Sequence, residues 1–265
     1  MGDENIRQTV ANALADVERE EGVRVLLAVE SGSRAWGFPS TDSDYDIRFI
    51  YARRREWYLS IDLESKPDTI ERPLTGMLDV SGWDVRKALK LFRKSNPPIL
   101  EWLQSPFVYR EVGSLAGALR ARLPSFYSPR ACAFHYWHMA QRNCREYLQG
   151  EVVWRKKYLY VLRPLLALRW ITQGRGPVPM EFTRLVESTV AEEGVKSAIL
   201  QLLAAKIAGA ELDRGPRIVV ISEFIEREME RVEATVGDGP PPASTGGDLD
   251  DVFQRILGEE FQGSD

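Results

Sequence analysis

The chain of 265 residues is long enough for one large domain or two small ones, each with a proper core. Apolar residues make up 44% and charged residues 28%, a globular balance that excludes collagen-like, coiled-coil and wholly disordered readings. A net charge of −4 excludes a surface coated in basic residues, though not a local basic groove.

Residues 5–20 place Ile6, Val10, Leu14 and Val17 at helical spacing. A strand-like run follows over 23–29, then a loop over 31–44 rich in Gly, Pro, Ser, Thr and Asp. Alternation over 45–52 predicts a second strand, and 68–74 and 76–82 are two short candidate strands. At Asp84 the period turns helical through Val85, Ala88, Leu89 and Phe92, and Pro97-Pro98 reads as a stop. Beyond about residue 105 strand signals nearly vanish. Helices are expected over 112–122, 129–149, 156–173 (with Pro164 inside), 181–192, 195–209 and 217–235. The fold class is therefore α+β, a mixed sheet with helices over 1–105 followed by an all-α domain over 106–236. Residues 237–248 read as a flexible linker, and 249–265 as an amphipathic tail that docks on the protein or on a partner.

No run approaches the roughly 20 consecutive apolar residues of a membrane span. The first residues lack both a basic start and an apolar h-region. Cys132 and Cys144, twelve positions apart in one expected helix, are too distant to pair, so a cytoplasmic location without a membrane is expected. Two cysteines and two histidines leave almost no room for a zinc site, so any metal must be held by oxygen. His135 and His138 sit among aromatics and read as core or boundary residues.

Chemistry concentrates between Glu30 and Tyr51. Gly32-Ser33 ends a strand before a short turn whose free backbone N–H groups can meet an anion, with the Ser33 hydroxyl as a further donor. Asp44 and Asp46 open the next strand. Period two puts them on one face about 6.5–7 Å apart, a spacing suited to two carboxylates sharing a hard divalent cation, Mg²⁺ or Mn²⁺. Either motif alone is commonplace; together, between two strand-like runs, they are specific. A third acid comes from 77–85, where Asp79 between Leu78 and Val80 is preferred and Asp84 is accounted for as a helix N-cap.

Three strings, Ser31-Gly-Ser-Arg-Ala-Trp-Gly-Phe38, Asp42-Ser-Asp-Tyr-Asp-Ile-Arg-Phe-Ile-Tyr51 and Leu78-Asp-Val-Ser-Gly-Trp-Asp84, resemble the DNA polymerase β nucleotidyltransferase superfamily. They are closer still to a bacterial and phage branch, the RlaP-like family, linked by name to RNA repair. The likeness extends through Lys156–Leu166 and covers about residues 20–175, leaving the tail outside. It implies a polymerase-β-like palm, two Mg²⁺ (or Mn²⁺) ions on Asp44, Asp46 and Asp79, and a nucleoside triphosphate substrate. Gly32, Ser33 and Arg34 would hold the nucleotide. A helix bearing Lys157 and Arg163 would close over it, with Tyr160 on the same face.

The expected activity is transfer of NMP to an acceptor hydroxyl, an RNA or other nucleic-acid 3′ end, with release of pyrophosphate. The alternative is nucleotidylation, such as AMPylation, of a protein side chain or small molecule. Arg48 could reach phosphate, and Trp36 and Phe38 either stack on a base or pack the loop onto the core. Lys87, Lys90, Arg93 and Lys94, with Arg155 and Lys156, could line a groove for nucleic acid.

Overall fold

A computed structural model of the chain describes residues 3–210, 212–233 and 248–259. Five strands form a mixed sheet in the order β3-β4-β2-β1-β5, built from β1 (Val23–Ser31), β2 (Tyr45–Arg53), β3 (Thr69–Glu71), β4 (Leu78–Asp84) and β5 (Val108–Glu111). β2 and β4 run parallel, and the other pairs are antiparallel. Helix α1 (Asp3–Glu21) covers one face, seating Ile6, Val10, Leu14 and Val17 on Val25, Ala28, Ile47 and Phe49. An irregularity between Val25 and Leu27 shifts the phase of β1, so that Leu27 and Val29 fall on the other face, against the helices that follow.

Short helices α2 (Gly32–Ala35) and α3 (Arg55–Tyr58) follow β1 and β2. Helix α4 (Val85–Arg93) begins at Asp84, whose carboxylate accepts the Arg86 N–H at 2.8 Å and the Tyr58 hydroxyl at 2.8 Å. α4 stops at Arg93, short of Pro97-Pro98, as expected. After a left-handed Ser95 (φ 50°), the two prolines occupy the first turn of a further helix, α5 (Pro97–Trp102), where their missing N–H groups cost nothing. Helices α6 (Leu115–Phe126) and α7 (Pro129–Tyr147) come next. A small strand β6 (Val152–Trp154) leads through a single 3₁₀ turn into α8 (Tyr158–Thr172), which runs straight through Pro164.

α9 (Phe182–Thr189), α10 (Glu193–Ile207), β7 (Arg214–Pro216), α11 (Val219–Glu233) and α12 (Asp248–Glu259) complete the described chain. β6 and β7 pair into a two-stranded ribbon. The helical half follows the sheet as expected, but strands β5, β6 and β7 lie where none was expected.

One cluster of buried side chains joins Leu27 and Val29 of the sheet to Leu162 of α8, Phe224 of α11 and Ile256 of α12. The tail helix docks on the protein itself. Leu249, Val252 and Ile256 are buried, and Phe253 meets Tyr58 edge-on at 5.0 Å between ring centres. The expected linker lies outside the described residues, apart from Asp248 at the start of α12. Among the described residues no helix is long and apolar enough to cross a membrane.

Candidate active site

Period two along β2 turns Asp46, Arg48 and Ile50 to one face and Ile47 and Phe49 to the α1 side. The parallel register sets Asp79 directly beside Asp46 and Asp84 beside Tyr51. Asp79 is therefore the acid that neighbours the pair, while Asp84 is buried five positions further along β4 and occupied as an N-cap.

Glycine at 32 is a steric requirement. Its φ is 61°, and a Cβ there would stand 2.0 Å from Oδ2 of Asp46. Two elements of sequence separated by the whole loop are thus in contact.

Asp46 is held from beneath. Its N–H donates to Oε1 of Glu30 at 2.8 Å, and the Tyr109 hydroxyl donates to Oε2 of Glu30 at 2.6 Å. Glu30 is 1% exposed, and burial pushes its carboxyl up to about 7, against the opposing hydrogen bonds from Tyr109 and Asp46. The Asp46 carboxyl is also raised, chiefly by burial; Arg48 opposes this, while Asp79 and Asp44 reinforce it.

Arg48 bridges the acids. Nη2 donates to Oδ1 of Asp46 at 3.1 Å and Oδ2 of Asp79 at 2.7 Å, and Nη1 to the Asp79 carbonyl at 3.0 Å. Among the described residues no three His, Cys, Asp or Glu side chains form a group ready to hold one metal ion. The donor chemistry nevertheless fits a hard divalent cation. Asp44 and Asp46 both face the cleft, and their mutual crowding with Asp79 is what such a charge relieves. The Arg48 guanidinium occupies Oδ2 of Asp79.

The cleft beside these acids has a volume of about 680 Å³. It is lined by Ser33, the loop Ser40–Asp44 and Asp46, together with Lys156, Lys157, Tyr160 and Lys206. The Lys157 Nζ sits 4.5 Å from the centre of the Tyr160 ring and 4.7 Å from that of Tyr147, and burial followed by Lys156 lowers its pKa. Lys206 is 8% exposed; its Nζ donates to the Phe38 carbonyl at 3.0 Å and to Ser40 Oγ at 3.4 Å. Burial lowers its pKa first; Asp42 raises it, and Lys156, Arg34 and Lys157 lower it further.

Lys206 was not anticipated. Its helix was, but nothing local says that one lysine of α10 is folded under a loop more than 160 residues earlier.

Several expected residues stand elsewhere. Arg163 does not reach the cleft: it is 2% exposed, pairs with Glu101 at 2.8 Å and lies over Trp36, its guanidinium carbon 4.5 Å from the ring centre. The shared helical face with Tyr160 is real, but one turn further along α8 that face is in the core. Arg34 braces the loop, donating to the carbonyls of Ser43 at 2.6 Å and Asp44 at 3.0 Å and covering the Tyr45 ring.

Trp36 and fully buried Phe38 pack the loop onto Tyr160 and Phe182. Lys87, Lys90, Arg93 and Lys94 are not part of the cleft wall. Lys87 pairs with Asp68 and Lys90 with Glu64. His135 is half-buried, and burial lowers its pKa.

A family model described as RlaP, the RNA repair pathway DNA polymerase beta family, matches residues 6–255. This reaches well into α12, so the tail helix belongs to the likeness that the motifs alone left it out of. The chain is 50% identical over 227 residues to "Uncharacterized protein YcgL" of Bacillus subtilis (strain 168), covering 86% of each chain. It also aligns with the crystal structure of a nucleotidyltransferase-like protein from Exiguobacterium sibiricum 255-15, over 88% of this chain and 77% of that one. There the identity is 12% and the TM-score 0.36, too low to say anything of the site. With 250 of its residues matched by one family model and half of 227 aligned residues identical to those of a relative across most of both lengths, the chain belongs to the RlaP family of polymerase-β-like nucleotidyltransferases.

Proposed function

We propose that the protein is a metal-dependent, template-independent nucleotidyltransferase that moves NMP from an NTP to the 3′ hydroxyl of an RNA or other nucleic-acid acceptor. The observation that carries this reading is one cleft lined both by acids, Asp44 and Asp46, and by bases, Lys156, Lys157 and Lys206. A nucleoside triphosphate needs both, since its polyphosphate seeks cations on one side and its metal seeks carboxylates on the other.

Asp44 and Asp46, joined by Asp79 once Arg48 turns aside, would hold Mg²⁺ or Mn²⁺. Two bound ions would supply charge neutralisation at the phosphates and a lowered pKa for the acceptor hydroxyl. Ser33, the backbone of 32–34 and the three lysines hold the triphosphate in line. The acceptor oxygen forms a bond to the α-phosphorus as the bond to the β-bridging oxygen breaks and pyrophosphate leaves. The hydroxyl proton passes to a carboxylate of the acidic set, with Asp79 the candidate. Positioning and electrostatics account for most of the rate gain.

The test is labelled NTP with single-stranded RNA or with candidate proteins, for wild type and Asp46→Asn. The carboxamide keeps the shape and offers one neutral oxygen in place of two anionic ones. Incorporation into RNA should fall by roughly 10²-fold or more, with folding retained. Near-wild-type incorporation by a folded Asp46→Asn enzyme would refute the assignment of the acids. Label appearing on protein and none on RNA would move the acceptor to a protein side chain.

A further inference from the structure

Next to the cleft, the ribbon of β6 and β7 displays a face that the proposed chemistry has not used. Along β6, Val153 is 1% exposed while Val152 and Trp154 are 53% and 36% exposed, so both point outward. In the antiparallel register Trp154 lies opposite Arg214 and Val152 opposite Pro216, which puts all four on one surface.

Two cations frame the indole: the Arg214 guanidinium carbon is 5.6 Å from the ring centre and the Lys156 Nζ 5.9 Å. The ladder continues toward the acids, with the N–H groups of Arg155 and Lys156 donating to the carbonyls of Asp213 and Leu212 at 3.0 Å each. Lys156, Leu212 and Asp213 are themselves cleft wall. The exposed ring is therefore continuous with the cleft that holds Asp44 and Asp46.

We infer that this face is the acceptor platform, on which an unpaired base near the 3′ end of single-stranded RNA stacks on Trp154 while Arg214 meets its phosphates. The inference rests on the nucleic-acid reading of the acceptor above. An open aromatic ring between two cations is the arrangement that single-stranded nucleic acid uses, because every base has a π-face and every linkage a negative charge. A protein acceptor would gain from the apolar residues but, unless acidic, would bring no charge to Arg214. Within a duplex each base is stacked on its neighbours and paired, so only the terminal pair keeps one face open, and the platform favours unpaired acceptors.

The experiment measures binding of a fluorescein-labelled 12-nucleotide RNA, single-stranded or annealed, to the full-length protein, with parallel 3′-extension assays. Trp154→Ala should weaken single-strand binding roughly 5- to 100-fold, the range of a lost stacking contact. It should raise the KM for RNA while leaving the KM for NTP within about twofold. Trp154→Phe should recover most of the loss, and Arg214→Ala should weaken binding and flatten its salt dependence. Melting curves of each variant control for folding, which an exposed side chain should barely affect.

Unchanged single-strand affinity and KM in a folded Trp154→Ala protein, with RNA still extended, would overturn the platform and leave the nucleic-acid reading standing. Equal loss on duplex and single strand would also overturn stacking. Wild type that neither binds nor extends RNA, and labels a protein instead, would overturn the reading and the platform together.

Discussion

Gly32 and Gly37 lie in the same segment and both adopt left-handed backbone, at φ 61° and 86°. They differ in what surrounds them. An added Cβ at Gly37 meets nothing within 4 Å, whereas at Gly32 it meets Asp46 Oδ2 at 2.0 Å and Cγ at 2.8 Å. Replacing either by alanine incurs the cost of an L-residue in the left-handed region, roughly 1–2 kcal/mol. For a chain of this size each kcal/mol lowers the melting temperature by about 2–4 °C.

Gly32→Ala must in addition drive the Asp46 carboxylate back by on the order of 1 Å, away from Arg48 and out of its rotamer, for about another 0.5–1.5 kcal/mol. The functional effect should be far larger than this stability difference, because a misplacement of about 1 Å in a reacting constellation costs on the order of 10²-fold in rate. Paired melting curves and NTP incorporation for the two variants separate the effects. Gly37→Ala should melt a few degrees low and keep most of its activity; Gly32→Ala should melt slightly lower and lose nearly all of it. Equal activities in the two variants would refute the coupling between Gly32 and Asp46.

Glu30 makes stability pH-dependent. With its carboxyl raised from 4.5 to about 7 by burial, the folded state holds the proton more tightly than the unfolded one. Its stabilisation is thus complete below about pH 4.5 and is lost as pH rises through about 7, a change of about 3 kcal/mol. In chelator, the melting-temperature gap between wild type and Glu30→Gln should shift across that window, and parallel curves would contradict it. Arg163→Met should lower stability by about 3–5 kcal/mol, because Glu101 is left buried without its counter-charge. The KM for NTP should hold steady; a raised KM with an unchanged melting curve would return Arg163 to the nucleotide. Deleting residues 237–265 removes buried Leu249, Val252 and Ile256, each worth at most about 1.5–3 kcal/mol. The truncated protein should melt clearly lower yet keep metal-dependent transfer, measured on protein held below its melting point.

Much of the site was legible in the chain itself. Asp44, Asp46 and Asp79 declare themselves by strand alternation beside a glycine-serine turn, and the parallel register that sets Asp79 against Asp46 completes what alternation implies. Periodicity works at the start of β2 because Ile47 and Phe49 turn inward toward α1 while Asp46 and Arg48 take the other face, so neighbours two residues apart carry the information. The same reasoning cannot sort α8, where Tyr158–Ile171 is apolar and buried on nearly every side. With no polar face to set the phase, Lys157, Tyr160 and Arg163 look equivalent, and only packing sends the first two to the cleft and the third to Glu101.

Strands β6 and β7 are three residues each, too short for alternation to register, and exist because their partners come from some 60 residues away. Lys206 is the clearest case. Its role depends on the carbonyl of Phe38, 168 residues distant, and a contact of that range leaves no trace in the spacing of either segment. Local sequence determined the acids of the cleft; its lysines were decided by tertiary packing, which alone brings α8 and α10 to the loop.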